Sequence, residues 1–205
     1  LVMVFKRTSI SIIDYGYGNH GSLINTLKKT GHNIRVIFDP NDSHQSEILI
    51  IPGVGCFPQG MDELAKRGFV EFLIEKKNLG IPIIGICLGM QFLSSKSYEV
   101  KETNGLGFID GEIVKLVNIK THIGWNEITF KNQKYELAEL FEKESFYFNH
   151  LYQYVGPEKY KVASTNDRNS IPAIIKKENI FGIQFHPEKS QGAGVEFFKN
   201  LLLKL

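Results

Sequence analysis

The chain has 205 residues, a formal net charge of +2 at pH 7, 42% hydrophobic residues and 22% charged residues. This size and balance are typical of a globular protein with one full core, so we expect residues 1–205 to form a single domain. The weak charge, with no basic run beside aromatic residues, argues against nucleic acid as a partner. No apolar run reaches the roughly 20 residues of a transmembrane helix, which argues against a membrane protein.

The chain contains only two cysteines, Cys56 and Cys87. Two cysteines make neither a disulfide framework nor a metal cluster, and they suit a reducing compartment. Residues 1–7 place apolar side chains before charged ones and contain no cleavage-site pattern, so we do not expect a signal peptide. Together these features predict a cytoplasmic protein without a metal site.

The first half of the chain alternates between strand and helix patterns. Apolar runs predict four strands, over residues 9–14, 33–38, 47–51 and 81–86. Apolar residues at helical spacing predict two helices, over residues 19–29 and 61–77, ended by Gly31 and Gly80. This order predicts parallel strands with right-handed crossovers, and such sheets place their sites beyond the carboxyl ends of the strands.

Two glycine-rich turns follow strands of this half. Residues 15–19 contain a Gly-x-Gly, but the third glycine of a dinucleotide fingerprint is missing, so a plain turn is favoured over a nucleotide site. Residues 52–57 place two glycines within three positions at a strand end, which allows backbone N–H groups to point outward. These residues form either an oxyanion hole or simply a flexible turn. Cys56 lies beside this loop and is interpreted as a packing residue.

Cys87 directly follows the continuous apolar run 81–86, which is typical of a strand buried on both faces. Gly85 and Gly89 bracket it, and a helical pattern begins immediately afterwards. This Gly-x-Cys-x-Gly pattern is the cysteine version of a nucleophile elbow, a tight turn that lifts the nucleophile above the sheet. The following helix N-terminus favours the thiolate. A lone cysteine in an apolar run is usually a packing residue, but the two glycines and the switch to a helix favour a nucleophile.

The second half of the chain has mostly strand patterns. Alternating or apolar runs predict six strands, over residues 112–117, 125–130, 146–150, 160–164, 171–176 and 180–185. We expect the last two to form a hairpin, and this half to be mostly antiparallel. A predicted helix over residues 194–205 closes the chain.

A thiol nucleophile needs a base, and the base usually needs an orienting group. Of the six histidines, His186 stands at the end of the predicted strand 180–185, and Pro187 and Glu188 follow it. Proline ends the strand and stiffens the turn, so Glu188 is close enough to hold the imidazole. A lone histidine after a strand usually has a surface or capping role. Together with the cysteine elbow, however, this pattern predicts a triad of Cys87, His186 and Glu188.

Three segments resemble the signatures of the class I glutamine amidotransferases: residues 52–55, 85–91 and 182–190. Residues 14–19 and 124–126 narrow the resemblance to the glutaminase subunit of imidazole glycerol phosphate synthase, and it spans nearly the whole chain. It implies an α/β fold, a three-layer, flavodoxin-like domain with a mixed central sheet. It also implies hydrolysis of L-glutamine to L-glutamate and ammonia without a cofactor.

The resemblance implies a role for each matching residue. Cys87 attacks the glutamine side-chain amide, His186 moves the protons, and Glu188 orients His186. Backbone amides of one loop stabilise the oxyanion; this loop contains Gly53, Val54 and Gly55. Four residues match positions at the glutamine pocket: Gln91, Glu99, His150 and Leu151. Among these, Glu99 would pair with the α-ammonium group of the substrate.

The resemblance also implies a partner. Trp125 and Lys189 match positions near the interface with a cyclase subunit, a (β/α)8 barrel, in a heterodimer. Ammonia would pass through that barrel to a distant active site that makes imidazole glycerol phosphate and AICAR in histidine biosynthesis. We expect the glutaminase to be weak until the partner and its acceptor substrate bind.

Two positions depart from the family pattern. Thr121 stands where a proline usually precedes the histidine at His122, and Leu151 stands where a serine or threonine usually follows His150. A paralogous subunit that supplies ammonia for amidation of surface sugars is therefore an alternative, as is a non-catalytic regulatory partner. The vitamin B6 glutaminase is a further alternative, but residues 124–126 and 189–190 argue against it.

Overall fold

The computed structural model describes residues 8–18, 20–42, 48–117 and 119–205. The strands within these residues are β1 (Ser9–Ile13), β2 (Asn33–Ile37), β3 (Ile48–Ile51), β4 (Ile83–Ile86), β5 (Lys96–Ser97), β6 (Thr103–Asn104), β7 (Glu112–Lys115), β8 (His122–Phe130), β9 (Ser145–His150), β10 (Tyr152–Val155), β11 (Lys161–Thr165), β12 (Pro172–Lys177) and β13 (Ile180–Ile183). The helices are α1 (His20–Lys28), α2 (Phe57–Lys66), α3 (Phe69–Asn78), α4 (Leu88–Phe92), α5 (Ala138–Phe141) and α6 (Gln191–Leu202). Residues 1–7, and the predicted element ends at residues 19 and 47, lie outside the described residues.

Nine strands form the central sheet, in the order β2-β1-β3-β4-β13-β12-β11-β8-β9. The first five strands of this order are parallel to their neighbours. The remaining neighbours are antiparallel. The sheet is therefore mixed, as predicted, and the carboxyl ends of β3, β4 and β13 meet at one edge. A second sheet of four short strands has the order β10-β7-β5-β6.

Helices cover both faces of the central sheet. On β4, Ile84 and Ile86 belong to a buried cluster that includes side chains of α1, α5 and α6. Ile83 belongs to a second buried cluster that includes side chains of α2, α3 and α4. Burial of both faces explains why this strand is continuously apolar rather than alternating. The predicted three-layer α/β fold is thus confirmed. None of the described helices is long and apolar enough to cross a membrane.

The predicted single helix over residues 61–77 is wrong. The chain forms two helices here, because α2 ends at Lys66 and α3 begins at Phe69. Gly68 between them has a φ of 74°, a left-handed conformation that cannot continue an α-helix and that glycine adopts without steric cost. The apolar pattern continues across the break because Leu64 and Phe72 enter the same buried cluster.

The helix after Cys87 is shorter than its sequence pattern suggests, since α4 covers only Leu88–Phe92. The N–H groups of Leu106 and Phe108 donate to the carbonyls of Phe92 and Leu93 at 2.7 and 2.9 Å. These carbonyls are therefore satisfied by the segment after β6 rather than by a further helical turn.

Most strand predictions for the second half are confirmed to within a few residues. β12 and β13 form the predicted hairpin, with Lys177 opposite Ile180. β8 begins at His122, earlier than predicted, and α6 begins at Gln191 rather than at residue 194. No sequence pattern signals β5 and β6, which have two residues each, or the short elements β10 and α5.

Two glycines of α6 have opposite surroundings. A methyl group at Gly194 would lie 1.8 Å from the Pro187 carbonyl oxygen, whereas one at Gly192 would meet no atom of the described residues within 4 Å. We expect Gly194→Ala to force α6 away from the turn at Pro187 and to lower the free energy of unfolding by about 1–3 kcal/mol, as overpacking does. The matched control, Gly192→Ala, should leave it unchanged or raise it by up to about 1 kcal/mol, since alanine favours helix. Urea unfolding measures both, and equal stability of the two variants would contradict the close approach.

Candidate active site

Cys87 lies at the carboxyl end of β4, between β3 and β13. Its backbone has φ 53° and ψ −106°, a conformation that is rare for a residue with a side chain. Its N–H donates to the Ile183 carbonyl at 2.7 Å, and α4 begins with the next residue. This is the strained strand-to-helix turn that the sequence predicts.

The glycines on either side of Cys87 lie where backbones cross. A methyl group on Gly85 would lie 2.4 Å from the Gly89 carbonyl oxygen, and one on Gly89 would lie 1.8 Å from the Ile51 carbonyl oxygen. Helix α4 therefore rests directly on the backbones of β3 and β4. Cys87 is only 6% exposed at this crossing.

His186 and Glu188 follow β13, the strand beside β4. His186 Nδ1 is 2.7 Å from Glu188 Oε1, and the His186 side chain is 1% exposed. Ser190 fixes the turn between them, because its hydroxyl donates to the His186 carbonyl at 2.6 Å and accepts the Tyr147 N–H at 3.0 Å. The structure therefore brings the predicted base and its predicted orienting carboxylate together in the turn after β13, the strand next to that of Cys87.

The surroundings of His186 favour its charged form. Burial lowers the pKa of His186, but the charge of Cys87, a contact with Cys87 and the hydrogen bond to Glu188 outweigh burial and raise this pKa to about 10. Within the described part of the chain, the buried His186 Nε2 makes no regular hydrogen bond. Nε2 is thus the nitrogen available for proton transfer. Hydrogen bonds between catalytic groups commonly tighten only when substrate binds.

The loop after β3 is closed against the elbow. The Gly53 carbonyl accepts a hydrogen bond from the Leu88 N–H at 3.3 Å. In a nucleophile elbow, the N–H of the residue after the nucleophile donates to the oxyanion, so here that donor is already occupied. Tyr15 Oη donates to the Pro52 carbonyl at 2.9 Å and fixes the start of the loop. Gly55 has a φ of 125°, which favours glycine. The loop predicted to form the oxyanion hole therefore lies against the elbow, with the Leu88 amide already paired.

A pocket of about 220 Å³ opens above Cys87. It is smaller than the roughly 300–1,000 Å³ of pockets for drug-sized ligands and suits a small molecule such as an amino acid. Val54 and Gly55 of the oxyanion loop line it. Its lining also includes all four residues predicted to hold glutamine, namely Gln91, Glu99, His150 and Leu151. The structure thus assembles the nucleophile, the loop and the glutamine-binding candidates around one cavity.

Glu99 enters this pocket from the segment between β5 and β6. Its Oε2 accepts the Phe57 N–H at 2.9 Å, at the start of α2. The second cysteine, Cys56, precedes α2 and does not belong to the pocket lining. Burial raises the pKa of the Cys56 thiol, which disfavours its thiolate. These features favour Cys87 over Cys56 as the nucleophile.

The back wall of the pocket converges on one carbonyl group. Gln91 Nε2 donates to the Tyr152 carbonyl at 3.3 Å, and His150 Nδ1 donates to the same oxygen at 2.7 Å. Burial lowers the pKa of His150 to about 3, despite the opposing effect of its hydrogen bond to Tyr152, so this imidazole is neutral. The side chains of Gln91 and His150 therefore hold the backbone that lines the cavity.

Sequence reasoning misses three residues at this site. Gln184 is fully buried and places Nε2 3.9 Å from Cys87 Sγ, and the signal for it is a polar residue inside the apolar run 180–185. Asn149 and Tyr152 act through main-chain carbonyls, with the Asn149 oxygen 3.9 Å from Cys87 Sγ. No side-chain pattern can reveal such a contribution.

Trp125 and Lys189, predicted from the resemblance to lie at a partner interface, are outside the pocket lining. Trp125 is 48% exposed on β8, and its ring centroid is 6.1 Å from that of Tyr147 on β9. Lys189 Nζ lies 5.8 Å from the centre of the same Tyr147 ring. These three residues form one continuous patch, which we call the Trp125 patch.

A larger, open pocket of about 450 Å³ lies elsewhere, beside α3. Pro40 and Gly68 line it, together with charged side chains of α3 such as Glu71 and Glu75. Its described lining residues include no member of the triad and no Cys, Ser or Thr. Size alone is therefore a poor guide to the chemistry of this molecule.

Known proteins match both the sequence and this fold. Residues 11–205 match the family model described as Glutamine amidotransferase class-I. The chain is 39% identical over 196 residues to the imidazole glycerol phosphate synthase subunit HisH of Lactococcus lactis subsp. lactis, with 94% of this chain and 97% of the relative covered. It is 41% identical over 194 residues to the protein of the same name from Caldanaerobacter subterraneus subsp. tengcongensis, with 93% and 96% covered.

Solved structures share the fold at lower identity. The structure of PurLQS from Thermotoga maritima has a TM-score of 0.77 at 19% identity and covers 97% of this chain and 99% of that chain. A crystal structure of a glutamine amidotransferase has a TM-score of 0.72 at 13% identity, with 96% and 99% covered. The chain therefore belongs to the class I glutamine amidotransferase family.

Proposed function

We propose that this protein is the glutaminase subunit of an imidazole glycerol phosphate synthase and supplies ammonia to a cyclase partner in histidine biosynthesis. The observation that carries this proposal is the arrangement of Cys87, His186 and Glu188 beside a pocket suited to an amino acid. The names of relatives at 39% and 41% identity favour this pathway over the amidation of surface sugars. The complete triad argues against a non-catalytic regulatory partner.

The reaction begins when the Cys87 thiolate attacks the carbonyl carbon of the glutamine side-chain amide and the C=O electron pair moves to oxygen. The His186 imidazolium then gives its Nε2 proton to the amide nitrogen, the C–N bond breaks, and ammonia leaves behind a γ-glutamyl thioester. Water, deprotonated by His186, attacks the thioester, the C–S bond breaks, and glutamate and the thiolate are released. Glu188 keeps the imidazole in the orientation that both proton transfers need.

The oxyanion of this reaction requires a rearrangement of the loop after β3. The Leu88 N–H is paired with the Gly53 carbonyl, so an oxyanion cannot use it until that carbonyl moves. Rotation of the peptide between Gly53 and Val54 would turn the carbonyl away and bring the Val54 N–H to the same side. Two donors would then face the oxyanion, the arrangement that stabilises such charge in other acyl-transfer enzymes. A partner that promotes this rotation would raise the rate of glutamine hydrolysis.

The pocket walls account for recognition of the amino-acid end of glutamine. Glu99 supplies a carboxylate in the lining, and its pairing with the α-ammonium group orients the substrate. Gln91 and His150 support the opposite wall by holding the Tyr152 carbonyl, and Leu151 covers the entrance, where it is 45% exposed. With its α-ammonium group paired to Glu99, glutamine would place its side-chain amide next to Cys87.

The Trp125 patch provides a docking surface for the cyclase, a (β/α)8 barrel. An aromatic residue and a cation together are typical anchors of protein interfaces. Lys189 is one residue past the triad carboxylate, so a partner bound there covers the active-site side of the molecule. Exclusion of water at that contact would keep ammonia from escaping before it reaches the barrel.

Replacing Cys87 by alanine should lower glutamine hydrolysis roughly a thousandfold or more, since triad enzymes lose activity on this scale without their nucleophile. The matched control, Cys56→Ala, should retain most of the activity. Glutamate release in the presence of the cyclase subunit measures both. A glutamine-analogue alkylating agent should modify Cys87 alone, and labelling of Cys56 instead would overturn the assignment.

Replacing Glu188 by glutamine should shift the basic limb of the pH profile of kcat/KM to lower pH. Glu188 contributes to the raised pKa of His186, so the imidazolium in the wild type survives above the usual value of about 6.5. Without the carboxylate this pKa falls, and the proton needed by departing ammonia is lost at lower pH. An exposed carboxylate on α6 offers the control, Glu196→Gln, which should leave the limb in place. An unshifted limb in Glu188→Gln would exclude Glu188 as the orienting group.

Replacing Lys189 by alanine should uncouple glutamine hydrolysis from the partner reaction. The contact of Lys189 with the partner would limit escape of ammonia, so its loss should release more glutamate than acceptor product. The assay measures both products with the cyclase subunit and its acceptor substrate present. Lys199→Ala, on the exposed side of α6, is the control. A glutamate-to-product ratio that stays near one in Lys189→Ala would argue against the coupling role.

A further inference from the structure

A chain of hydrogen bonds runs from the pocket wall to the surface through residues that the triad does not use. His150 Nδ1 donates to the Tyr152 carbonyl at 2.7 Å, and His150 Nε2 is 2.7 Å from His122 Nδ1. His122 Nε2 is 2.8 Å from the side-chain oxygen of Asn126, whose Nδ2 donates to Asp167 Oδ2 at 3.5 Å. Asn126 belongs to the Gly-Trp-Asn segment 124–126 that characterises the sequence, and the reaction steps give it no role.

Both ends of this chain can only accept hydrogen bonds. A backbone carbonyl such as that of Tyr152 has no proton to give, and neither has the carboxylate of Asp167. The orientation of Asp167 is fixed independently, because its Oδ1 accepts the N–H groups of Asn169 and Ser170 at 2.9 and 3.1 Å. The protons along the chain must therefore come from the three side chains between its ends.

The count of these protons assigns two ring protons to His122. Asn126 turns its amide nitrogen toward Asp167, with 3.5 Å between Nδ2 and Oδ2 at the exposed end of the chain, so its oxygen faces His122 and accepts from Nε2. His150 must keep its proton on Nδ1 for Tyr152, so its Nε2 accepts from His122 Nδ1. His150 itself is neutral, since burial lowers its pKa to about 3. Both nitrogens of His122 therefore act as donors, and only an imidazolium has two ring protons.

The surroundings of His122 support a positive charge. Burial by itself disfavours a charge on His122, but the ring stacks on Phe148 with ring centroids 4.5 Å apart. The face of an aromatic ring is negative and attracts a cation. The Asp167 carboxylate carries the opposite charge at the exposed end of the chain, two hydrogen bonds from the His122 ring.

We propose that His122 is an imidazolium that acts as a positioning residue for glutamine, by fixing the proton of His150 and by giving the pocket wall a positive potential. This role rests on the proposed function, because it concerns the carboxylate end of an amino-acid substrate. Glu99 supplies a negative group to the pocket lining, and the lining contains no Lys or Arg. The favourable positive charge for the α-carboxylate of glutamine is therefore supplied by His122, which lies one side chain behind the pocket wall.

The variant Asp167→Asn tests the proton count without breaking the turn. An asparagine here keeps its oxygen toward the N–H groups of Asn169 and Ser170 and presents an NH2 group to Asn126. Asn126 then turns its oxygen toward residue 167 and its NH2 toward His122. His122 Nε2 becomes an acceptor, and the ring keeps one proton. The chain of hydrogen bonds survives while its charge is lost.

The matched control is Glu127→Gln. Glu127 follows Asn126 on β8, and its Oε2 accepts from the side chain of Asn166, the residue before Asp167. This variant removes the same negative charge from the same surface but leaves the His122 chain untouched. Any effect of Asp167→Asn that is absent from Glu127→Gln therefore comes from the chain and not from net charge.

Two measurements on the intact protein with its cyclase partner test the proposal. Nitrogen NMR of histidine-labelled protein at neutral pH should show two protonated ring nitrogens for His122 in the wild type and in Glu127→Gln, but one in Asp167→Asn. The KM for glutamine should rise about tenfold in Asp167→Asn, the scale of one charge-assisted interaction, with kcat changed less than about twofold.

A single ring proton on His122 in the wild type would overturn the proposal, and so would an unchanged KM in Asp167→Asn. A fall in kcat with KM unchanged would also overturn it, because that pattern would point to the chemical step rather than to glutamine binding. If the wild type fails to hydrolyse glutamine, the proposed function fails. The NMR count still decides the charge of His122 in that case, so the two failures are distinguishable.

Discussion

The close crossing of β3, β4 and α4 is the constraint on which the rest of the site depends. Gly85 and Gly89 let backbones meet where no side chain fits, and Cys87 between them is held in a conformation that costs on the order of 1–3 kcal/mol. The surrounding sheet can impose this strain because the Cys87 N–H donates a hydrogen bond to the Ile183 carbonyl. That bond also ties the nucleophile to β13, the strand that leads into His186. One local arrangement therefore sets the positions of both Cys87 and His186.

Three histidines around the pocket differ in charge because their burial and their partners differ. His186 faces the Cys87 sulfur and the Glu188 carboxylate, which raise its pKa, whereas burial lowers the pKa of His150. The proton count along the chain to Asp167 gives His122 a charge of its own. A neutral imidazole thus separates two charged ones, and this alternation limits their mutual repulsion. Charge in this site is set by burial and by neighbouring groups rather than by residue type.

The sequence predicts the parts of this molecule that depend on neighbouring residues. The elbow at Cys87 and the turn from His186 to Glu188 are visible because each is a short local pattern. The break at Gly68 is hidden because the apolar pattern continues across it into the same core. The pairing of the Gly53 carbonyl with Leu88, and the contact of His122 with His150, join residues that only the folded sheet brings together. Main-chain groups and long-range pairs are therefore what local patterns cannot supply.

The position of β13 in the sheet has a consequence for synthesis of the protein. β13 lies between β4 and β12, although nearly a hundred residues separate β4 from it in the chain. Until residues 180–183 have left the ribosome, β4 has β3 on one side and an unpaired, fully apolar edge on the other. Such edges readily pair with other chains. The growing polypeptide therefore carries this aggregation-prone edge while the residues between β4 and β13 are synthesised, and chaperone binding at Ile83–Ile86 would protect it until β13 inserts.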